Sequence, residues 1–402
     1  MNDLDLRTEA VLDETIRFQM PQSENLNNPK SVFLTGATGF LGVYLLAELL
    51  DKTSADVYCL VRASDSTEAG NRIKSQLELY RLWNETTGHR IIPIIGDLSK
   101  PLLGMPEPEF YDMAGKIDVI FHNGAKVNFL YPYSALKSAN VSGTREVLRL
   151  AGLTRTKPVH FMSSMAVFFT RPHFSKREVK EIDIPQWDES LKGGYKESKW
   201  VAEQLVIEAR KRGLPACIYR PVRIMGHSLT GITGNYSDIL FYLLKGCILL
   251  KKYPKVDTII TFVPVDYLSQ AIVHLSRKPA SMGKAFHFFN PHPISFKDFF
   301  EQIKALGYPL EEVSFDQWTT DLKSRIEKEP KNNLFSFLGI FMRGPDILLA
   351  INNLTLDAAQ TLEGLTGSSI VCPPIDEKLI STYISYLQQS GFIDYPLKKK
   401  TI

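Results

Sequence analysis

Val32–Leu50, VFLTGATGFLGVYLLAELL, decides the fold. Val32-Phe33-Leu34 is a short apolar run of strand type. Thr35-Gly36-Ala37-Thr38-Gly39-Phe40-Leu41-Gly42 is a glycine-punctuated turn, and Val43–Leu50 is apolar enough for a buried helix. Strand, glycine turn and helix in that order open a dinucleotide-binding βαβ unit. Gly36 allows a tight turn, Gly39 lets backbone approach a pyrophosphate, and Gly42 lets helix and strand pack closely. The phosphates would rest on free N–H groups at the helix N-terminus, where the helix dipole favours anions. The spacing is G-x-x-G-x-x-G rather than the G-x-G-x-x-G of ordinary dehydrogenases. A glycine turn in an unrelated α/β protein would look the same in isolation.

The chain downstream keeps the alternation. Asp56–Val61, DVYCLV, reads as the second strand, and Arg62 follows where an NAD enzyme carries an acid for the ribose 2′-hydroxyl. A guanidinium there suits a 2′-phosphate, with Arg72 as a second cation. Solvated arginines are the plain alternative, and Asp65 is a rival acid placed three residues late. A helix is expected over Ala69–Trp83, then a strand over Ile91–Ile95 ending in Gly96-Asp97-Leu98. The Asp97 carboxylate can accept from an adenine amino group or cap a turn. Asp118–Phe121 is the next strand, and the small residues of His122-Asn123-Gly124-Ala125 let backbone pass close to a cofactor. His122 reads as packed rather than catalytic. Ala135–Ala151 reads as a helix with Asn140 inside it, and Val159–Met162 as a strand ending in Ser163-Ser164. Residues 170–194, charged and proline-bearing, read as a mobile flap, and Ala216–Tyr219 as the sixth strand.

Tyr195-Lys196-Glu197-Ser198-Lys199 opens a helical pattern running to about Arg212. Tyr195 and Lys199 stand at i and i+4 and share one face. A free phenol, with pKa near 10, is a poor acid–base group at neutral pH. A neighbouring ammonium stabilises the phenolate and draws that value down. Lys199 can also hold a nicotinamide ribose. Ser164, 31 residues before Tyr195, is placed to polarise a substrate oxygen, with Ser163 as its rival. Tyr-x-x-x-Lys is common by chance; after a glycine βα turn and a strand-end serine it is a specific constellation.

The 402 residues, 44% hydrophobic and 23% charged, allow a large core and two domains. A net charge of +3 is too small to argue for nucleic acid. Cys59, Cys217, Cys247 and Cys372 form no C-x-x-C pair and read as reduced thiols of a cytoplasmic protein. The eight histidines show no metal-ligand spacing. Asn140-Val141-Ser142 and Asn235-Tyr236-Ser237 match the glycosylation pattern by chance, since no signal peptide is evident. The apolar run Ile239–Leu250 is too short to span a bilayer.

The fold class expected is therefore α/β: a Rossmann-type doubly wound parallel sheet with a smaller, mostly helical C-terminal substrate domain. The boundaries read as a linker over 1–30, a dinucleotide domain over 31–282 with substrate-side segments from about 222, and a helical domain over 283–402. Leu4, Leu6, Val11, Leu12 and Ile16 suggest a short amphipathic piece ahead of the linker stretch PQSENLNNPK. Ile224-Met225-Gly226 is placed to close over a nicotinamide, and Thr230–Asn235 to form a substrate mouth. The stripes Phe299, Phe300, Ile303, Leu306 and Leu379, Ile380, Tyr383, Ile384, Leu387 read as core. Lys251, Lys252 and Lys255 are either a solvated face or a patch for an acidic partner. Lys398-Lys399-Lys400 reads as a loose tail.

With these motifs assembled, the chain resembles the extended short-chain dehydrogenase/reductases. More narrowly, it resembles the thioester reductase domains that end nonribosomal peptide synthetases and carboxylic acid reductases. The matching stretches are TGATGFLG, CLVRA, GDL, HNGAKVNFLYPYSALKSANVSGTREVLRLA, SSMAVF, YKESKWVAEQLV, YRPVRIMGHSLTG and FVPVDYLSQAI, with VSFDQWTTDL, NNLFSFL and PPIDEKLISTYISYL in the last third. Ser164 stands where these reductases commonly have Thr, which keeps the hydroxyl. DLRTEAVLDETI resembles the linker after a carrier-protein domain. The resemblance implies that Gly36, Thr38, Gly39, Phe40, Leu41 and Gly42 line the pyrophosphate of NADPH. Arg62 and Arg72 would hold its 2′-phosphate, Asp97 and Leu98 would flank the adenine, and Asn123, Gly124 and Ala125 would lie along the cofactor. Ser164, Tyr195 and Lys199 would act in catalysis, Lys199 also on the ribose. It implies reductive release of an acyl or peptidyl thioester from the phosphopantetheine arm of an upstream carrier protein. The product is an aldehyde or, after a second reduction, an alcohol. The protein would act as a monomer excised from a synthetase, with no metal, membrane or nucleic acid. A sugar-nucleotide epimerase or dehydratase shares the Ser/Tyr/Lys set, and a non-catalytic NADP-binding scaffold would lose Tyr or Lys.

Overall fold

The computed structural model describes residues 5–19, 28–176, 178–236, 238–329, 333–343 and 354–396. Most of the linker stretch, Ser237 and Lys398–Lys400 lie outside the described residues. The chain forms two compact units: 1–222 with 267–288 and 356–370, and 223–266 with 289–355 and 371–402. It first passes from one unit to the other at 222/223. No single cut near 282 separates the two units, because 283–288 and 356–370 belong to the first.

The first unit is built on seven parallel strands: β1 (Ser31–Thr35), β2 (Asp56–Val61), β3 (Ile91–Ile95), β4 (Val119–His122), β5 (Val159–Met162), β6 (Ala216–Pro221) and β7 (Ala285–Phe288). Their spatial order is β3-β2-β1-β4-β5-β6-β7. All seven pair in parallel. The order reverses between β1 and β4, and that switch point opens a crevice at the strands' carboxyl ends. Val32, Phe33 and Leu34 are wholly buried, as continuous apolar strands covered on both faces should be. Burying each such side chain contributes about 1.5–3 kcal/mol. Asp118 lies just before β4 and accepts from the N–H groups of Lys30 (2.9 Å) and Ser31 (3.1 Å), tying the starts of β1 and β4 together.

Five helices carry the site: α1 (Phe40–Lys52), α2 (Ser66–Leu79), α3 (Glu107–Lys116), α4 (Gly143–Gly152) and α5 (Gly194–Lys211). Helix α2 begins three residues ahead of the expected Ala69, because Asp65 caps it by accepting from Glu68 N–H at 2.8 Å. It stops short of Trp83, where Arg81 adopts φ +60°. The helix expected over Ala135–Ala151 is interrupted. Tyr133–Lys137 leads into a π turn at Ser138–Ser142, and α4 follows.

The described residues of 170–194, expected to form a mobile flap, are tied to the rest of the first unit by many hydrogen bonds. Trp200 Nε1 and Gln204 Nε2 both donate to Pro185 O at 3.0 Å, Gln186 N donates to His173 Nε2 at 2.9 Å, and Glu181 is buried. The Glu181 carboxylate accepts from His287 N, Thr361 N and Thr361 Oγ1, so this segment is anchored across the first unit. The amphipathic piece expected ahead of the linker stretch packs as such over 5–19, except that Val11 stays exposed and Leu4 lies outside the described residues. Leu6, Leu12, Ile16 and Phe18 are buried, Glu9 pairs with Lys137 at 2.8 Å, and Arg212 donates to Leu12 O and Asp13 O at 2.8 Å.

The second unit packs Phe299, Phe300, Ile303, Leu379, Ile380, Tyr383, Ile384 and Leu387 into one core with Trp318 and Tyr253. These are the stripes read as core. Ile224–Met225 pairs in parallel with Val263–Pro264, and Tyr383 Oη donates to Gly226 O at 2.8 Å. Among the described residues no helix is long and apolar enough to cross a membrane.

Candidate active site

The nucleotide crevice is built by glycines that tolerate no side chain. Gly36 has φ +74°, and a Cβ on it would lie 2.7 Å from Gly124 Cα. A Cβ on Gly42 would lie 1.9 Å from Gly36 O, so the first turn of α1 sits directly on the loop from β1. Asn123 Nδ2 donates to Gly36 O at 3.4 Å, and Gly124 N donates to Thr35 Oγ1 at 2.9 Å. These bonds join the ends of β1 and β4 across the switch point. Helix α1 starts at Gly39 with no side-chain cap and no acid in its first turn. Its first N–H groups and its dipole therefore face the crevice, a site suited to a dinucleotide pyrophosphate. Thr38, Phe40 and Leu41 share this turn.

At the end of β2, a pocket of about 580 Å³ is lined by Thr38, Asp65, Thr67, Glu68, Asn71, Arg72, Ser75 and Gln76. Arg72 donates through Nη1 to Arg62 O, and both arginines are exposed. Asp65, the rival acid, is engaged as the α2 cap. Asp97 Oδ1 accepts from Ser99 N and Ser99 Oγ, each at 2.8 Å. Burial raises the Asp97 carboxyl, but the two Ser99 bonds, with Arg62 and Lys100 nearby, hold it below its ordinary value. Leu98 lies against Gly124 and Gly143, where a Cβ would meet Leu98 Cδ1 at 2.5 Å and Leu98 O at 2.6 Å.

The catalytic candidates converge. Tyr195, in the first turn of α5, has the Ser164 hydroxyl, just past the end of β5, beside its phenol. Ser163 is excluded from that role, because its Oγ donates to the buried Glu203. Lys199 is buried, donates to Met162 O, and stands 4.4 Å from the Phe161 ring centroid. Burial pushes the Tyr195 phenol up to about 12, with the Ser164 hydroxyl pulling the other way. The lowering expected from Lys199 is not among the causes acting on Tyr195. Burial brings the Lys199 ammonium down to about 8, with Glu203 opposing it. His122 is packed, bonded between Thr35 Oγ1 and Thr144 Oγ1 at 2.9 Å each, and burial drops it to about 3.

Sequence reading missed Asn140. Sitting in the π turn, it accepts from Lys126 N at 2.7 Å and donates to Lys126 O (3.1 Å) and Ser198 Oγ (2.9 Å). It clamps the loop after β4 to the helix bearing Tyr195 and Lys199. That loop exposes Val127, Phe129, Leu130 and Tyr131, and the Phe129 ring meets Tyr195 edge-on at 5.3 Å. A helix-interior asparagine flanked by two serines was the available signal, because π turns recur at functional sites. Among the described residues no group of three His, Cys, Asp or Glu side chains is placed to hold a metal ion. All four cysteines are free and buried, and burial pushes their thiols up.

Residues 34–272 match the family model described as Male sterility protein. A linear gramicidin synthase of Brevibacillus parabrevis is 40% identical over 96% of this chain. Glycine betaine reductase ATRR of Emericella nidulans is 36% identical over 97%. The chain spans only 8% and 31% of the lengths of those two relatives. The crystal structure of the terminal R domain from the myxalamid PKS-NRPS biosynthetic pathway superposes with a TM-score of 0.90 at 42% identity, covering 98% of this chain and 99% of that one. A chain so matched belongs to the Male sterility protein family of NAD-binding domains, among the terminal reductase (R) domains of nonribosomal peptide synthetases.

Proposed function

We propose that this domain reductively releases an acyl or peptidyl thioester from the phosphopantetheine arm of an upstream carrier protein, with NADPH as reductant. The observation that carries the reading is the placement of the Ser164 hydroxyl beside the Tyr195 phenol, with Lys199 one turn further along α5. The glycine cradle supports a dinucleotide, since the contacts at Gly36 and Gly42 leave backbone and no side chain at the crevice floor. The turn Gly36–Gly42 would hold the pyrophosphate, Arg62 and Arg72 the 2′-phosphate, and Asp97, Leu98 and Asn123–Ala125 the adenine side and the length of the cofactor. When bound, NADPH supplies the hydride that reduces the thioester carbonyl carbon.

The chain's own residues handle the oxygen. Ser164 and Tyr195 donate hydrogen bonds to it as negative charge develops, the stabilisation that matters most in acyl chemistry. Tyr195 then gives up its proton to that oxygen. Lys199, an ammonium at neutral pH, offsets the cost of leaving a phenolate behind and also holds the nicotinamide ribose. Collapse of the thiohemiacetal expels the pantetheine thiol and leaves an aldehyde, which a second cycle would turn into an alcohol. The apolar side chains at 127–131, beside Tyr195, suit an acyl-pantetheine rather than a sugar nucleotide. By its likeness to the synthetase and terminal R-domain relatives, we infer that it acts as a monomeric domain within a longer synthetase, in the cytoplasm.

The test is to supply acyl-pantetheine thioesters with NADPH or NADH and to identify products by mass spectrometry. Aldehyde formed with NADPH in preference to NADH supports the reading. Tightly retained NAD with turnover of a nucleotide sugar, and none of thioesters, would overturn it in favour of an epimerase.

A further inference from the structure

Glu203 stands four residues after Lys199 and eight after Tyr195 on α5, so the three side chains follow one another along one helix face. It is completely buried. Oε1 accepts from Arg220 Nε at 3.0 Å and Nη2 at 2.7 Å, and Oε2 accepts from Ser163 Oγ. Arg220 is itself immobilised, donating to Glu181 O at 3.1 Å and Asp183 O at 3.0 Å. Buried ion pairs give little net stability over apolar replacements. This one, however, adjoins the active site in two places. Ser163 precedes Ser164, and with its hydroxyl tied to Glu203, Ser164 is the serine left to meet Tyr195. The Lys199 ammonium is enclosed by Met162 O and the Phe161 ring, and Glu203 is the acid one turn away.

We propose that Glu203 is a positioning residue for the reaction: through Ser163 Oγ it fixes the strand end that carries Ser164, and it stands as the buried carboxylate one helical turn from Lys199. This rests on the Ser164–Tyr195–Lys199 reading above. Lys199 Nζ is bonded to Met162 O and lies over the Phe161 ring, both on β5; the titratable groups coupled to it are Glu203, one turn along α5, and His122 at the end of β4. His122 is neutral at working pH and Tyr195 is a phenol, so neither adds charge. Arg220 is bonded to the Glu203 carboxylate.

The experiment is a pH titration of Lys199 in the full chain, by NMR of lysine labelled with ¹³C at Cε, with the resonance assigned by its loss in Lys199→Arg. In Glu203→Gln the midpoint should fall from near 8 by about one pH unit. The alkaline limb of kcat/KM for NADPH consumption should move down with it. Glu203→Asp should restore both in large part. Ser163→Ala keeps the carboxylate, so it should leave the titration in place and lower kcat through the strand end. If Glu203→Gln does not fold with Arg220 unpaired, the double variant Glu203→Gln, Arg220→Met carries the titration. The midpoint should still fall, because the nearer charge is the one lost. A Lys199 midpoint within about 0.3 pH unit of wild type in a folded Glu203 variant overturns the proposal, leaving Glu203 a packing residue. Full activity in Tyr195→Phe would instead overturn the catalytic reading, an outcome the titration does not depend on.

Discussion

Replacing Gly42 with Ala tests whether the crevice floor is a phosphate cradle. The new Cβ would lie 1.9 Å from Gly36 O and 2.7 Å from Gly36 C, against ordinary contact from 3.4 Å. The neighbour is backbone, so the turn or the first turn of α1 must move by about 1.5 Å. Overpacking of this kind costs about 1–3 kcal/mol, while Gly to Ala in a helix returns about 0.5–1 kcal/mol. The free protein should therefore lose about 0–2.5 kcal/mol and still fold. Nucleotide binding should lose more. Displacing one charge-assisted N–H bond to phosphate costs about 1.5–3 kcal/mol, or roughly 10- to 10²-fold in Kd. The assay is a fluorescence titration of NADPH beside a thermal melt without ligand. Gly115→Ala in α3 is the control, since its Cβ meets nothing within 4 Å. It should raise stability by about 0.5–1 kcal/mol and leave affinity alone. Gly39→Ala, with a 3.3 Å contact, should fall between the two. A Gly42→Ala protein that binds NADPH within about threefold of wild type would refute the cradle.

Four further outcomes are expected. Tyr195→Phe should cut turnover by about 10²-fold or more with NADPH binding intact, measured by NADPH consumption beside the same titration. Arg62→Ala should weaken NADPH far more than NADH; equal losses would remove Arg62 from the 2′-phosphate. Asn140→Ala breaks the bonds to Lys126 and Ser198, and should lower Tm and reduce kcat by roughly 10- to 10²-fold through misplacement of the helix and loop it joins. Normal values of both would make the clamp incidental. The fourth concerns acid. Burial lowers His122, His160 and His287 to about 3, from the usual 6.5. Between those values the unfolded chain binds more protons than the fold, so stability present above 6.5 is lost as pH falls. One pH unit below 6.5 each histidine removes about 1.4 kcal/mol, together about 4 kcal/mol. A flat urea midpoint from pH 7 to 5.5 would contradict neutral burial of these rings.

The local pattern carried most of the first unit. Val32–Leu50, Ile91–Ile95 and Val159–Met162 each read correctly because an apolar run bounded by Gly, Pro or Ser leaves few alternatives to a buried strand and its turn. Ser164, Tyr195 and Lys199 were legible as a set because the helix repeat puts i and i+4 on one face. Choosing between Ser163 and Ser164 was not legible. Adjacent residues on a strand point to opposite faces, and only the buried Glu203 shows which hydroxyl is already taken. Residues 170–194 read as mobile because charge and proline resemble a surface loop. They are anchored through partners far away in sequence, Arg220, His287 and Thr361, which no window reveals.

By itself the sequence determined the element order, the glycine turn and the candidate reacting side chains, since these follow from short-range periodicity and chemistry. Tertiary structure alone decided that β7 and residues 356–370 complete the first unit, and that Asn140 clamps the active-site helix. It also decided that burial, rather than the lysine, governs the Tyr195 phenol. Each of these depends on groups brought together from distant parts of the chain, where desolvation and unpaired hydrogen bonds set the energy.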